Sequence, residues 1–106
     1  MRIRDLCIES YERAKAKGFY DPIPSTDSRL LLIHSEVSEA LEATRDDEMV
    51  TRLTETGKPI GLPSELADIV IRVCDFAQHL GIDLEHEIRL KSDYNETRPR
   101  KHGRVR

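Results

Sequence analysis

The sequence predicts an all-α fold, a small bundle of four helices (five at most), and three observations carry that prediction. Charged side chains make up 35% of the 106 residues against 38% hydrophobic and 5% aromatic, with no Trp. A sandwich or barrel needs strands that alternate β-branched and aromatic residues, and this composition does not supply them. Apolar residues recur at helical spacing in four separate segments. Between those segments stand Gly, Pro and short polar residues suited to caps and turns. A chain of this length forms one domain with a small core, so a partner subunit would add materially to it.

Residues 3–17 form the first predicted helix, with Ile3, Leu6, Cys7, Tyr11 and Ala14 on one face and Gly18 as its stop. Residues 19–27 (FYDPIPSTD) contain two prolines and end in capping residues, so they read as a loop. Phe19 and Tyr20 there are candidates to stack on a base. The second helix runs from about Ser28 to Arg45, with Leu30, Ile33, Val37, Ala40, Leu41 and Thr44 at helical spacing. Residues 46–62 mix charge, Gly and Pro and read as a variable insertion with at most one short helical turn. Pro63 or Ser64 opens a third helix that ends at Leu80, capped by Gly81. Asp83 is the N-cap of a fourth helix through about Asn95, stopped before Pro99.

No apolar run approaches the ~18–20 residues of a membrane span, so no membrane partner is expected. The opening MRIRDLCIES is amphipathic and carries Asp5 and Glu9, unlike a signal peptide. The expectation is a cytoplasmic protein whose Cys7 and Cys74, both at apolar helical positions, are reduced core thiols. Net charge is −3, but the tail of residues 98–106 holds five of the 17 basic side chains and no acid. The remaining twelve bases against 20 acids leave residues 1–97 at −8. Such a body repels nucleic acid, and the aromatic platforms of a single-strand binder are missing. A basic tail on an acidic body fits either a nucleic-acid arm or a patch that closes over a phosphorylated small molecule.

Acid pairs at i, i+3 are common in so acidic a chain, so position on the helix matters more than spacing. At about 100° per residue, Glu36 falls inside the apolar sector of the second helix, Glu39 lies at its edge beside Leu32, and Glu42 points away. On the third helix Leu66, Ile69, Val70, Val73, Ala77 and Leu80 form the main core face. Glu65, Asp68, Arg72, Asp75 and His79 make a narrow charged seam, beyond which Ala67, Ile71 and Cys74 turn apolar again. That second apolar side predicts contact with another subunit, and Arg72 is in reach of both Asp68 and Asp75. Carboxylates trapped at apolar borders need compensation. Either their heads reach water at the rim, or a divalent cation held by Glu36, Glu39, Glu65 and Asp68 supplies it. Four oxygen ligands suit Mg²⁺ or Mn²⁺ far better than zinc, and the Glu-x-x-His repeats of a di-iron bundle are missing.

On the fourth helix Lys91, Tyr94, Asn95 and Arg98 follow i, i+3, i+4, i+7 spacing and share one stripe. A cation, a phenol, an amide and a guanidinium together can read a nucleotide, the cations taking phosphate oxygens and the amide a sugar or base edge.

Three blocks in order, LIHSEVSEALEA (32–43), PSELADIVIRVCDFAQHLGIDL (63–84) and KSDYNETRPRKHG (91–103), resemble a MazG-like nucleotide pyrophosphohydrolase, one of the all-α NTP pyrophosphatases. The likeness runs from about Leu30 to Gly103. It implies a MazG-like helical domain, a homodimer or dimer of dimers, and Mg²⁺-dependent cleavage of a nucleoside triphosphate at the α-phosphorus to monophosphate and pyrophosphate. By motif, Glu36, Glu39, Glu65 and Asp68 take the metal positions, with Glu36 or Glu39 as base. Lys91, Asn95, Tyr94 and Arg98 take the substrate positions. Many members open the first motif with a double acid, where this chain has Ser35. Two other functions fit the residues: a non-enzymatic helical interaction module with a basic nucleic-acid tail, and a nucleotide-binding relative without turnover.

Overall fold

The computed structural model describes residues 1–100 and is a small, mostly helical domain. Four helices, α1 (Ile3–Ala16), α2 (Thr26–Arg45), α3 (Leu62–His79) and α4 (Leu84–Glu96), are joined by one tiny hairpin, β1 (Arg52–Leu53) and β2 (Pro59–Ile60). Of the basic tail, Lys101, His102, Arg104 and Arg106 lie outside the described residues. None of the described helices is long and apolar enough to cross a membrane.

Helix boundaries follow local chemistry. The α1 chain reverses through a left-handed Gly18, with Phe19 N–H donating to the Ala14 carbonyl and Gly18 N–H to that of Lys15. α2 starts two residues earlier than its apolar pattern indicates, because Ser25 Oγ accepts the Ser28 N–H at 3.1 Å and so caps a first turn of polar residues. Asp83 caps α4 as expected, its carboxylate accepting the His86 N–H at 3.2 Å.

The insertion departs from expectation. In place of a helical turn it forms an antiparallel pair, Arg52 opposite Ile60 and Leu53 opposite Pro59. Gly57 and Pro59 both disfavour a helix, and the turn is closed by Thr54, whose N–H donates to Lys58 O and whose carbonyl accepts from Gly57 N. The hairpin returns the chain so that Leu62 N–H donates to Glu48 O at 2.8 Å. At Gly61 φ is +113°, and a Cβ would lie 2.4 Å from Val50 O. Only glycine fits there.

Both α1 and α2 pack along α3, which is the central rod; α4 touches α1 and α3 and buries no side chain fully. Cys7 of α1 and Cys74 of α3 meet in this packing, both free and buried. Burial, and then the neighbouring Cys7 thiol, push Cys74 up to about 12, as suits a core thiol. α4 is tied down at its start, where Arg4 Nη2 reaches both Asp83 oxygens and Nη1 reaches Glu85 at 2.9 Å.

The expected core face of α3 needs correction. Of that face Ala77 is buried as expected, but Leu66, Val70 and Leu80 are 52%, 48% and 46% exposed, whereas Cys74, Asp75 and Phe76 outside it are buried. α1 takes the side of Ile71 and Cys74, predicted to meet another subunit, and α2 takes the charged seam. Val70 lines an apolar cleft with Ile3 of α1 and Leu84 and Ile88 of α4, while Leu66, and Leu30, Val37 and Leu41 on α2, stay about half exposed among the described residues. The radius of gyration is 16.1 Å, against about 13 Å for a compact chain of this length. Within one chain the four helices do not close into a bundle.

Candidate metal centre

At one end of the α2–α3 seam lies a buried polar knot. Asp75, fully buried, accepts the Tyr20 hydroxyl (2.6 Å) and Arg29 Nη2 (2.5 Å) on Oδ1, and Arg72 Nη1 (3.1 Å) on Oδ2. The Arg29 guanidinium also lies 4.8 Å over the Tyr20 ring. Burial, and then donation to Asp75, raise the Tyr20 phenol well above its ordinary pKa. Tyr20 is therefore a structural residue, not the base-stacking group expected, while Phe19 stays half exposed. His79 joins the same knot, its Nδ1 2.9 Å from the Tyr11 hydroxyl and its ring 4.4 Å from that of Tyr20.

The predicted acids gather farther along the seam. Glu36 of α2 and Glu65 and Asp68 of α3 offer carboxylate oxygens that all lie within 4.8 Å of one another. Glu39 acts electrostatically on both Glu36 and Glu65 and lines one hollow with Glu65, next to the convergent three. Partial burial, then Glu39 and Asp68, raise Glu36 to about 7, with Arg72 opposing. Glu65 is raised too, by burial first and then by Glu39 and Asp68. The expected Arg72–Asp68 ion pair does not form; Arg72 pairs with Asp75 alone. Ser35, in the double-acid position, is exposed and donates its hydroxyl back to Leu32 O at 2.7 Å. Three or four converging carboxylates make an all-oxygen donor set of the kind hard divalent ions take, so the residues present fit Mg²⁺ or Mn²⁺.

The α4 strip also assembles, but elsewhere. Lys91, Tyr94 and Arg98 line an open groove of about 670 Å³ with Glu87 and Leu90, the Lys91 and Arg98 charges each 5.6 Å from the Tyr94 ring centre. Asn95 is exposed on the same helix and does not line that groove, and neither do any of the four acids.

One feature escaped the sequence reading. Ser10, Arg13, Ala14 and Lys17 on the α1 side face Asp68, Ile71 and Arg72 of α3 across a cleft of about 310 Å³, with Phe19 at its edge. The i, i+3, i+4, i+7 spacing from Ser10 to Lys17 was the available signal. Two cations on the exposed side of a short amphipathic helix look the same as any solvated polar face, so that spacing alone does not mark a cleft. The Arg29–Asp75 pair was missed for a different reason: its partners are 46 residues apart.

No family model, curated protein or solved structure matches the chain.

Proposed function

We propose that this protein is a Mg²⁺-dependent nucleoside triphosphate pyrophosphohydrolase of the MazG-like kind, cleaving (d)NTP to (d)NMP and pyrophosphate. The observation that carries the reading is the convergence of Glu36, Glu65 and Asp68 from two antiparallel helices to within 4.8 Å, with Glu39 beside them. Glu36, Glu65 and Asp68 would hold the ion, which Mn²⁺ could replace. When bound, such an ion neutralises phosphate charge and acidifies the attacking water. Glu39, next to the convergent three, takes the water's proton as its oxygen attacks the α-phosphorus. The bond to the bridging oxygen breaks and pyrophosphate leaves with the electron pair. Lys91, Tyr94, Asn95 and Arg98 form the second recognition element, for the nucleotide.

A second copy of the chain is the natural cover for the exposed apolar side chains Leu30, Val37, Leu41 and Leu66. It would also bring a second α4 strip into play. Homodimer or dimer of dimers is thus part of the same reading.

The test is pyrophosphate release from a panel of canonical and modified (d)NTPs, with and without Mg²⁺. Release that needs Mg²⁺ and falls steeply in Glu39→Gln, while the helical circular dichroism is unchanged, is the expected result. Hydrolysis by Glu39→Gln at the parent rate, or no release from any triphosphate, would overturn it.

A further inference from the structure

The geometry points to a basic half of this site in the cleft between α1 and α3, where Arg13, Lys17 and Arg72 hold the phosphate end of a phosphorylated ligand. Its placement rests on the acid cluster being the cation site, because Asp68 belongs to both: it is one of the three converging carboxylates and it lines the cleft. A phosphate group in the cleft would therefore lie beside the position of the ion, with side-chain cations on its other flank. That arrangement spreads the charge that builds on departing phosphate oxygens.

Charge supports the assignment. Three cations against Asp68 alone give the cleft lining a formal +2, in a chain whose net charge is −3. The C-terminal end of α1 would by itself repel an anion with about half a charge, and Arg13 and Lys17 outweigh that. Each cation also has donors to spare. Lys17 makes no ion pair among the described residues. Arg13 donates to Glu9 at 2.7 Å in an exposed i, i+4 pair, an interaction worth only ~0.2–1 kcal/mol that an oxyanion can displace. Arg72 is held from behind by Asp75 and lies 5.2 Å over the Phe19 ring, so its fork is fixed in place with the remaining N–H groups unspent. Ser10 also lines the cleft, and its buried hydroxyl lacks a hydrogen-bond partner among the described residues.

The cleft accordingly takes phosphate oxygens and the α4 groove, with its flanked Tyr94 ring, is left for the nucleoside. Calorimetric titration of the full chain with inorganic pyrophosphate, in EDTA at low ionic strength, separates the two surfaces. The Arg13→Gln/Lys17→Gln double variant should bind about tenfold more weakly or worse; both side chains are exposed, so its melting temperature should match the parent's. Lys17→Ala alone should show part of the loss. Lys91→Gln/Arg98→Gln should keep the parent affinity. Loss in the α4 variant with retention in the α1 variant would overturn the proposal, as would a parent chain that fails to bind pyrophosphate at all. Failure of the enzymatic reading shows separately: pyrophosphate would still bind through Arg13 and Lys17 while no triphosphate was hydrolysed.

Discussion

Arg29 and Asp75 meet as a buried ion pair, and their positions set the register of the acid cluster. Seven residues on from Arg29 along α2 is Glu36; seven back from Asp75 along α3 is Asp68. Seven residues are about two helical turns, or roughly 10.5 Å. With the two helices antiparallel, a pair locked at one level brings Glu36 opposite Asp68 two turns away. The knot thus positions the candidate metal ligands without touching an ion.

Breaking that knot should cost stability and metal affinity together. Asp75→Asn leaves the Arg29 guanidinium buried without a counter-charge, a loss on the order of 3–5 kcal/mol. Urea denaturation should show it as a lower midpoint, and Mg²⁺ titration of the folded fraction should show weaker binding. Parent-like stability would mean the pair is dispensable.

How much of this was legible beforehand depends on the distance over which each signal acts. Helical periodicity placed Glu36, Glu39, Glu65 and Asp68 on converging faces, because a helix face is set by neighbours three and four residues away. Asp75 sat on the same predicted seam, yet nothing local distinguished it from Asp68; its burial depends on Arg29 and Tyr20, supplied by a different helix and a loop. The hairpin at Arg52–Ile60 was invisible for another reason. Strands of two residues each, Arg52–Leu53 and Pro59–Ile60, are too short to carry an alternation. Which side of α3 would be covered was also misjudged, since periodicity shows that a face is apolar but not which neighbour occupies it.

Titration of Glu36 links pH to folding and, on the proposed reading, to ion binding. Its pKa of about 7 lies above the ordinary carboxylate value. The neutral form is the one the fold favours, so this contribution to stability is complete below about pH 4.5 and is lost as pH rises through about 7. The ion-free chain should therefore melt lower at pH 8 than at pH 5, and Glu36→Gln should recover about 1–2 kcal/mol at pH 8 after allowance for solvent screening. Mg²⁺ must displace that proton, so affinity should fall about tenfold per unit below pH 7, with proton release detectable by calorimetry in buffers of different ionisation enthalpy.

Gly61 fixes the start of the helix that carries Glu65 and Asp68. In Gly61→Ala the new Cβ would be forced to 2.4 Å from Val50 O at a φ of +113°. The hairpin or the first turn of α3 must shift, at a cost of about 1–3 kcal/mol. Thermal melting should report that loss, and Mg²⁺ affinity should weaken several-fold because Glu65 lies one turn away.

Self-association should depend on the face shared by α2 and α3. Val37→Glu and Leu66→Glu each replace a side chain that is about half exposed in the single chain. Each should yield a folded monomer by sedimentation equilibrium, with helical content intact and triphosphate hydrolysis lost. A parent chain that sediments as a monomer would refute this.

The near-absence of burial along α4 bears on how the protein can change over generations. Its thirteen residues include none in the core, so most replacements there leave folding almost untouched. Drift on that surface is then screened by what it contacts rather than by whether the chain holds together. On the proposed reading, preference for one nucleoside over another can shift there step by step, while Arg29 and Asp75, buried as a pair, stay under far tighter constraint.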